Sequence, residues 1–140
     1  MNRKTALALV GATAIAASTS GAALAASSAG PAVKVQVKTP AKTLVNATFR
    51  GETGSITKGG TPKGVCPGTS AAGALDAATH GKWKGKYYAK YKDLLVTSIL
   101  GVTPKSPRYW KFLVNGKTAS VGVCDVKLKA GEKLGFKLVK

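Results

Sequence analysis

The sequence predicts an α+β domain in which a single helix covers one face of a small sheet. Three observations lead there. Val33, Val35 and Val37 alternate with Lys34, Gln36 and Lys38 near the front of the chain, and Leu134, Phe136 and Leu138 alternate with Lys133, Gly135 and Lys137 at its end. An Ala-rich run from Ala71 to Thr79 has helical composition. Asn115-Gly116 separates two alternating stretches, the strongest short-range hairpin signal, because both residues tolerate positive φ.

Residues 1–25 stand apart from this domain. Arg3 and Lys4 precede an uncharged Ala-, Leu- and Val-rich run that ends in Ala23-Leu24-Ala25. A short positive segment, an apolar run and a small-x-small end make a secretory signal peptide, with cleavage expected between Ala25 and Ala26. The competing readings are a buried helix or a membrane anchor. Thr13, Ser18, Thr19 and Ser20 make a weak permanent span, so no stable membrane span is expected after cleavage. The expected location is secreted, with cell-wall association open. Residues 26–32 read as a flexible lead and residues 33–140 as one domain, expected to be a monomer.

The elements follow in order. Residues 33–38 form a half-buried strand ended by Thr39-Pro40, and Leu44, Val45, Ala47 and Phe49 mark a second. Gly51 to Gly68 holds six glycines and two prolines and reads as a long loop. Thr69 or Ser70 is placed to cap a helix running to about Thr79, with Gly81 where a left-handed residue ends it. His80, in the last turn, is read as interacting with the helix C-terminal carbonyls. Leu94 to Leu100 is a buried strand. Trp110, Phe112 and Val114 share a core face, the chain returns over Lys117–Val121, Val126 and Leu128 make a short strand, and residues 133–138 make the last.

Cys66 and Cys124 are the only cysteines. In an exported chain an isolated pair reads as one disulfide, here closing a loop of 58 residues. Free thiols and a metal site are the alternatives. Two cysteines with a lone His do not make a structural zinc site, and no metal or cofactor is expected.

The residues Tyr109–Lys117, Gly122-Val123-Cys124 and the turn Lys129-Ala130-Gly131-Glu132 resemble a known family. So do Cys66-Pro67, Thr69-Ser70, Leu75–Thr79 and Trp83-Lys84-Gly85. The family is the group of uncharacterised domains similar to the C-terminal domain of transcobalamin, in its secreted bacterial form. The resemblance covers roughly residues 33–140. It implies a β-grasp-like fold, a helix packed on a small mixed sheet, and an exported, non-catalytic module. Transcobalamin encloses cobalamin between this domain and a larger helical one. No counterpart of the latter is seen in the sequence, so no corrinoid site is carried over.

The chain has 140 residues, 22 Lys and Arg against five Asp and Glu, and a net charge of +17. Loss of Arg3 and Lys4 with the signal leaves 20 basic residues, eighteen of them Lys, and a net charge of +15. Lys82, Lys84, Lys86, Lys90 and Lys92 are interleaved with Trp83, Tyr87, Tyr88 and Tyr91. Ammonium groups neutralise anions and rings stack on bases or sugars, so these nine residues are candidate polyanion-binding residues. The competing reading is a connector or edge strand with rings inward and Lys in solvent. Arg50 and Arg108 alone remain for bidentate base readout, which disfavours sequence-specific nucleic-acid recognition. The expected partner is an anionic cell-wall polymer or acidic polysaccharide.

The function expected is thus a secreted, non-catalytic binding module retained on extracellular polyanions. One alternative is an interaction or inhibitor protein presenting the Gly51–Gly68 loop, with no polyanion ligand. Another is a small hydrolase, for which His80 is the one neutral-pH base and has no partner placed by sequence.

Overall fold

The computed structural model describes residues 29–59 and 63–140. The expected signal sequence and the Ala25/Ala26 cleavage point lie outside the described residues. The described elements run β1 (Ala29–Lys38), β2 (Thr43–Gly51), β3 (Ser55–Lys58), β4 (Gly64–Pro67), α1 (Ala71–Thr79), β5 (Trp83–Tyr88), β6 (Asp93–Ile99), β7 (Tyr109–Val114), β8 (Lys117–Thr118) and β9 (Lys133–Val139). The result is a mixed α+β fold dominated by strands, with one helix among the described residues.

The main sheet has the order β2-β1-β9-β7-β8. Its central pair, β1 and β9, is parallel, and its other pairs are antiparallel. The two most regular Val/Lys and Leu/Lys alternations in the sequence therefore lie side by side. Register fixes the two faces, because side chains alternate with period two. Val35 stands opposite Leu134, Val37 opposite Phe136, and Phe136 opposite Phe112. The Phe112 and Phe136 rings stack at 5.0 Å. This face meets α1, whose Ala71, Ala72, Ala74, Leu75 and Ala78 are buried. Small side chains let the helix lie close to the sheet, while Val33, Val35, Val37, Leu134 and Phe136 supply the apolar area. Each such buried side chain contributes about 1.5–3 kcal/mol.

The start of α1 is satisfied from outside the helix. Ser70 occupies the N-cap position but makes no capping bond, and its hydroxyl donates back to Pro67 O at 2.6 Å. Instead the Ala71 and Ala72 N–H groups donate to Val126 O (2.8 Å) and Val123 O (3.0 Å). The loop after β8 thus caps the helix with carbonyls, and Cys124 in that loop is joined by a disulfide to Cys66 of β4, with Cα atoms 4.9 Å apart. Gly73 is where α1 crosses the chain before it: a Cβ there would run into Gly68 O. The helix ends one residue earlier than the glycine signal predicts. His80 is already left-handed (φ 53°), and the Gly81 N–H closes the end on Asp76 O at 2.9 Å.

Several expectations are corrected. The region read as one long loop contains the hairpin β3–β4, since Ile56 and Cys66 point inward on facing strands. Residues 29–32, read as lead, belong to β1, where Ala29 faces Gly51 and Ala32 faces Arg50. The return strand after Asn115-Gly116 stops at Thr118, because the chain leaves to dock on α1. Val126 and Leu128 form no strand, and only an isolated bridge joins Lys127 to Ser70.

Candidate functional site

The Lys- and Tyr-rich stretch from Lys82 to Lys92 is half strand and half turn. Residues 83–88 are β5, paired antiparallel with β6, and residues 89–92 turn the chain into β6. Alternation splits the nine candidate residues. Trp83 points into the core at 2% exposure, and its Nε1–H donates to Asp76 Oδ1 at 2.8 Å. Tyr87 is half-buried and packs against Gly64, where a Cβ would strike its ring. Lys82, Lys84, Lys86, Tyr88, Lys90, Tyr91 and Lys92 are exposed. Lys86 Nζ lies 5.2 Å from the Tyr88 ring and Lys90 Nζ 5.6 Å from the Tyr91 ring. The structure thus keeps the five lysines and two tyrosines of this stretch at the surface and removes Trp83 from it.

Tyr88 and Tyr91 reach a larger feature that the sequence did not reveal. A cleft of about 550 Å³ lies between β6, β7 and the loop after β8. Five aromatic side chains line it: Tyr88, Tyr91, Tyr109, Trp110 and Phe112. It forms because β8 is only two residues long, so the first half of β7 has no strand beside it on that side. No spacing in the sequence joins residues 88–96, 109–112 and 118–125; long-range packing alone does.

Two carboxylates, Asp93 and Asp125, stand at this cleft. Asp93 is buried, and its Oδ1 accepts the Leu94 N–H (2.8 Å) and the Cys124 N–H (2.9 Å). It therefore holds the disulfide loop against β6. Loss of hydration raises the Asp125 pKa, and the adjacent Asp93 charge and hydrogen bonding raise it further. Glu52 and Asp76, the latter within α1, make a second carboxylate pair. Burial raises the Glu52 pKa, with added contributions from Asp76, while Lys58 opposes the shift.

Lys58 closes that region. Its ammonium donates to Gly81 O (2.9 Å) and Trp83 O (3.0 Å), sits 3.7 Å from Asp76 Oδ1 and lies 5.1 Å from the Trp83 ring. It is the one cation with an ion pair among the described residues. His80 is exposed and does not line the cleft. No group of three or more His, Cys, Asp or Glu side chains able to hold a metal occurs among the described residues. Nor is any helix among them long and apolar enough to cross a membrane.

Residues 68–140, more than half of the chain, match the family described as Domain of unknown function (DUF4430). The chain belongs to that family. No curated protein matches the sequence. Among solved structures, this DUF4430 chain is similar to a candidate metal binding protein from Ruminococcus gnavus ATCC 29149. The TM-score is 0.56 at 13% identity, over 79% of this chain and 97% of that one. It is also similar to haptocorrin in complex with Cbi, with a TM-score of 0.53 at 16% identity over 79% of this chain. The chain spans about a quarter of haptocorrin, 25% of its length. At these identities the likeness shows the fold, an uncharacterised transcobalamin-like domain.

Proposed function

We propose that this chain is an exported, non-catalytic binding module of β-grasp-like fold, held on extracellular anionic polymers by its lysine surface. The observation that carries the reading is the separation of its charges. Of the five acids, Asp93 and Glu132 are buried, Asp76 is tied to Lys58 and Trp83, Glu52 lies against Asp76, and Asp125 alone is exposed. Most lysines by contrast are exposed and lack an ion pair among the described residues. A charge of +15 left uncompensated attracts a polyanion through counterion release, with little demand on geometry. The β-grasp assignment rests on the parallel β1–β9 pair at the centre of the sheet and the helix across it. The non-catalytic reading is supported by His80 standing alone at the helix end, away from the cleft. The test is retention of the exported chain on immobilised heparin and on isolated cell walls at rising salt. Steep loss of retention with salt is expected. Elution with a neutral protein of similar size at low salt would refute the reading.

The cleft favours a second reading, in which the module takes a ring-bearing ligand against Tyr88, Tyr91, Tyr109, Trp110 and Phe112. Its volume of about 550 Å³ is in the range of small-molecule sites. Cbi, the ligand named with haptocorrin, is the first probe. Saturable quenching of Trp fluorescence that Tyr91→Ala weakens supports this reading, and no saturable change at millimolar Cbi removes that ligand.

A further inference from the structure

The open face of the main sheet, opposite α1, collects lysines that lie far apart in the sequence. Lys34 of β1 stands directly opposite Lys133 of β9. Lys38 of β1 stands opposite Lys137 of β9, which in turn stands opposite Lys111 of β7. Since neighbouring strands are about 4.8 Å apart, Lys38, Lys137 and Lys111 form a row across three strands. Lys34 and Lys133 form a second row four residues away, about 13 Å along the strands. None of the five acids lies in the strands of this sheet. Like charges directly opposite one another weaken a sheet, so this arrangement works against folding.

A second observation lies between the rows. A depression of about 340 Å³ runs over Gly135, bordered by Gln36, Lys38, Leu113, Lys133 and Lys137. Gly135 sits in mid-strand, where glycine weakens a sheet and often marks close approach by a ligand. A Cβ there would meet only the Leu113 side chain, at 3.6 Å, so packing within the chain does not demand glycine. The floor is open because a side chain is absent, and ammonium groups stand on both sides.

We infer that this face is a docking groove for a slender, phosphodiester-linked polymer outside the cell, seated over Gly135 between the two lysine rows. The inference rests on the polyanion reading above and names its site, which is not the Lys82–Lys92 stretch. A lysine ammonium is a point donor that suits singly charged phosphates along a flexible chain. Duplex DNA is too wide for the depression. Single-stranded nucleic acid wants stacking rings, and the centre of this face has none. A lipid surface wants exposed apolar anchors, and the middle of the face offers Leu113 alone, half-buried.

The test uses the exported chain and immobilised polyglycerol phosphate, with duplex DNA and phosphatidylglycerol vesicles as comparators. Two triple variants remove equal charge: Lys38→Gln/Lys111→Gln/Lys137→Gln on the sheet, and Lys82→Gln/Lys84→Gln/Lys86→Gln at the start of β5 and the residue before it, here the β5 triple. A third variant, Gly135→Thr, fills the groove with no change of charge. The sheet triple is expected to lose at least tenfold in affinity and about two units of the log–log salt slope, from about 0.7 per phosphate contact. The β5 triple is expected to lose less than threefold, and Gly135→Thr to weaken binding at a melting temperature no lower than the parent's, since Thr replaces a strand-weakening glycine. Relief of like-charge contact should leave the sheet triple at least as thermally stable as the parent, which keeps misfolding distinguishable. If the parent chain does not bind the polymer, the polyanion reading itself fails. Should both triples lose equally, binding is diffuse and the groove is overturned while that reading stands. Tighter binding to vesicles or duplex DNA than to the polymer overturns the assigned occupant.

Discussion

Replacing Lys58 by Met tests the hub that joins three parts of the fold. The substitution keeps most of the stem and removes the ammonium. Two hydrogen bonds to carbonyls, at 2.9 and 3.0 Å, are lost, with the 3.7 Å approach to Asp76 and the contact with the Trp83 ring. Hydrogen bonds from a charged donor contribute about 1.5–3 kcal/mol each. The side chain keeps 21% of its exposure, so water replaces part of the loss, and Gly81 O and Trp83 O are not left fully dry. A net cost of about 2–4 kcal/mol follows, large against the typical total of about 5–15 kcal/mol. Glu52 also loses the cation that opposes its upward pKa shift, so its carboxyl moves further up. The assay is urea denaturation of Lys58→Met beside Lys82→Met, an exposed lysine at which about 0.5 kcal/mol or less is expected. Equal stability of the two variants at unchanged m-value would refute the reasoning, and Asp76→Asn in each background measures the pairwise part.

Further outcomes follow from the same structure. Opening the Cys66–Cys124 bridge by replacing both with Ala should cost about 4 kcal/mol in the chain-entropy model for a separation of 58 residues, read as a lowered denaturation midpoint. Gly73→Ala, stabilising in an ordinary helix, should here destabilise by about 1–3 kcal/mol because the methyl meets Gly68 O; a raised melting temperature would contradict the close crossing. Glu52 has a folded pKa raised above 4.5, so it contributes stability that is complete below that pH and lost as pH rises through the folded pKa. Glu52→Gln should therefore be more stable than the parent at pH 7 and show a flatter stability profile just above pH 4.5, measured by thermal melts across pH.

The strands that alternate strictly were legible before folding. β1, β7, β9 and helix α1 fall within a few residues of where the pattern puts them, because each buries one face and the period of two or 3.6 records it, while β6 follows from the continuous apolar run Leu94 to Leu100. The hairpin β3–β4 was hidden in glycines and prolines, since only Ile56 and Cys66 on it are buried apolar residues. The turn after β8 has the pattern of a strand but is not one, because its carbonyls are consumed by the start of α1, a partner some fifty residues earlier that no local pattern reveals. Ser70 shows the same limit. Its type and place are those of a cap, yet its hydroxyl is turned to Pro67 O because the carbonyls of the disulfide loop already hold the helix N–H groups.

Charge, the cysteine pair and the alternation that sends Val, Leu and Phe to one side of the sheet and Lys to the other are written in the residues themselves. These are properties of single residues and of a fixed local period, and they survive without knowledge of neighbours. Tertiary packing alone sets which lysines stand together. Strand order is set by β1 meeting β9 across about a hundred residues, and that pairing brings Lys34 to Lys133 and Lys38 to Lys137. It likewise decided that Trp83 belongs to the core while Tyr88, Tyr91 and Tyr109 border a cleft. Adjacency of elements far apart in the chain depends on which pairings close the core, and that is a property of the whole packed chain.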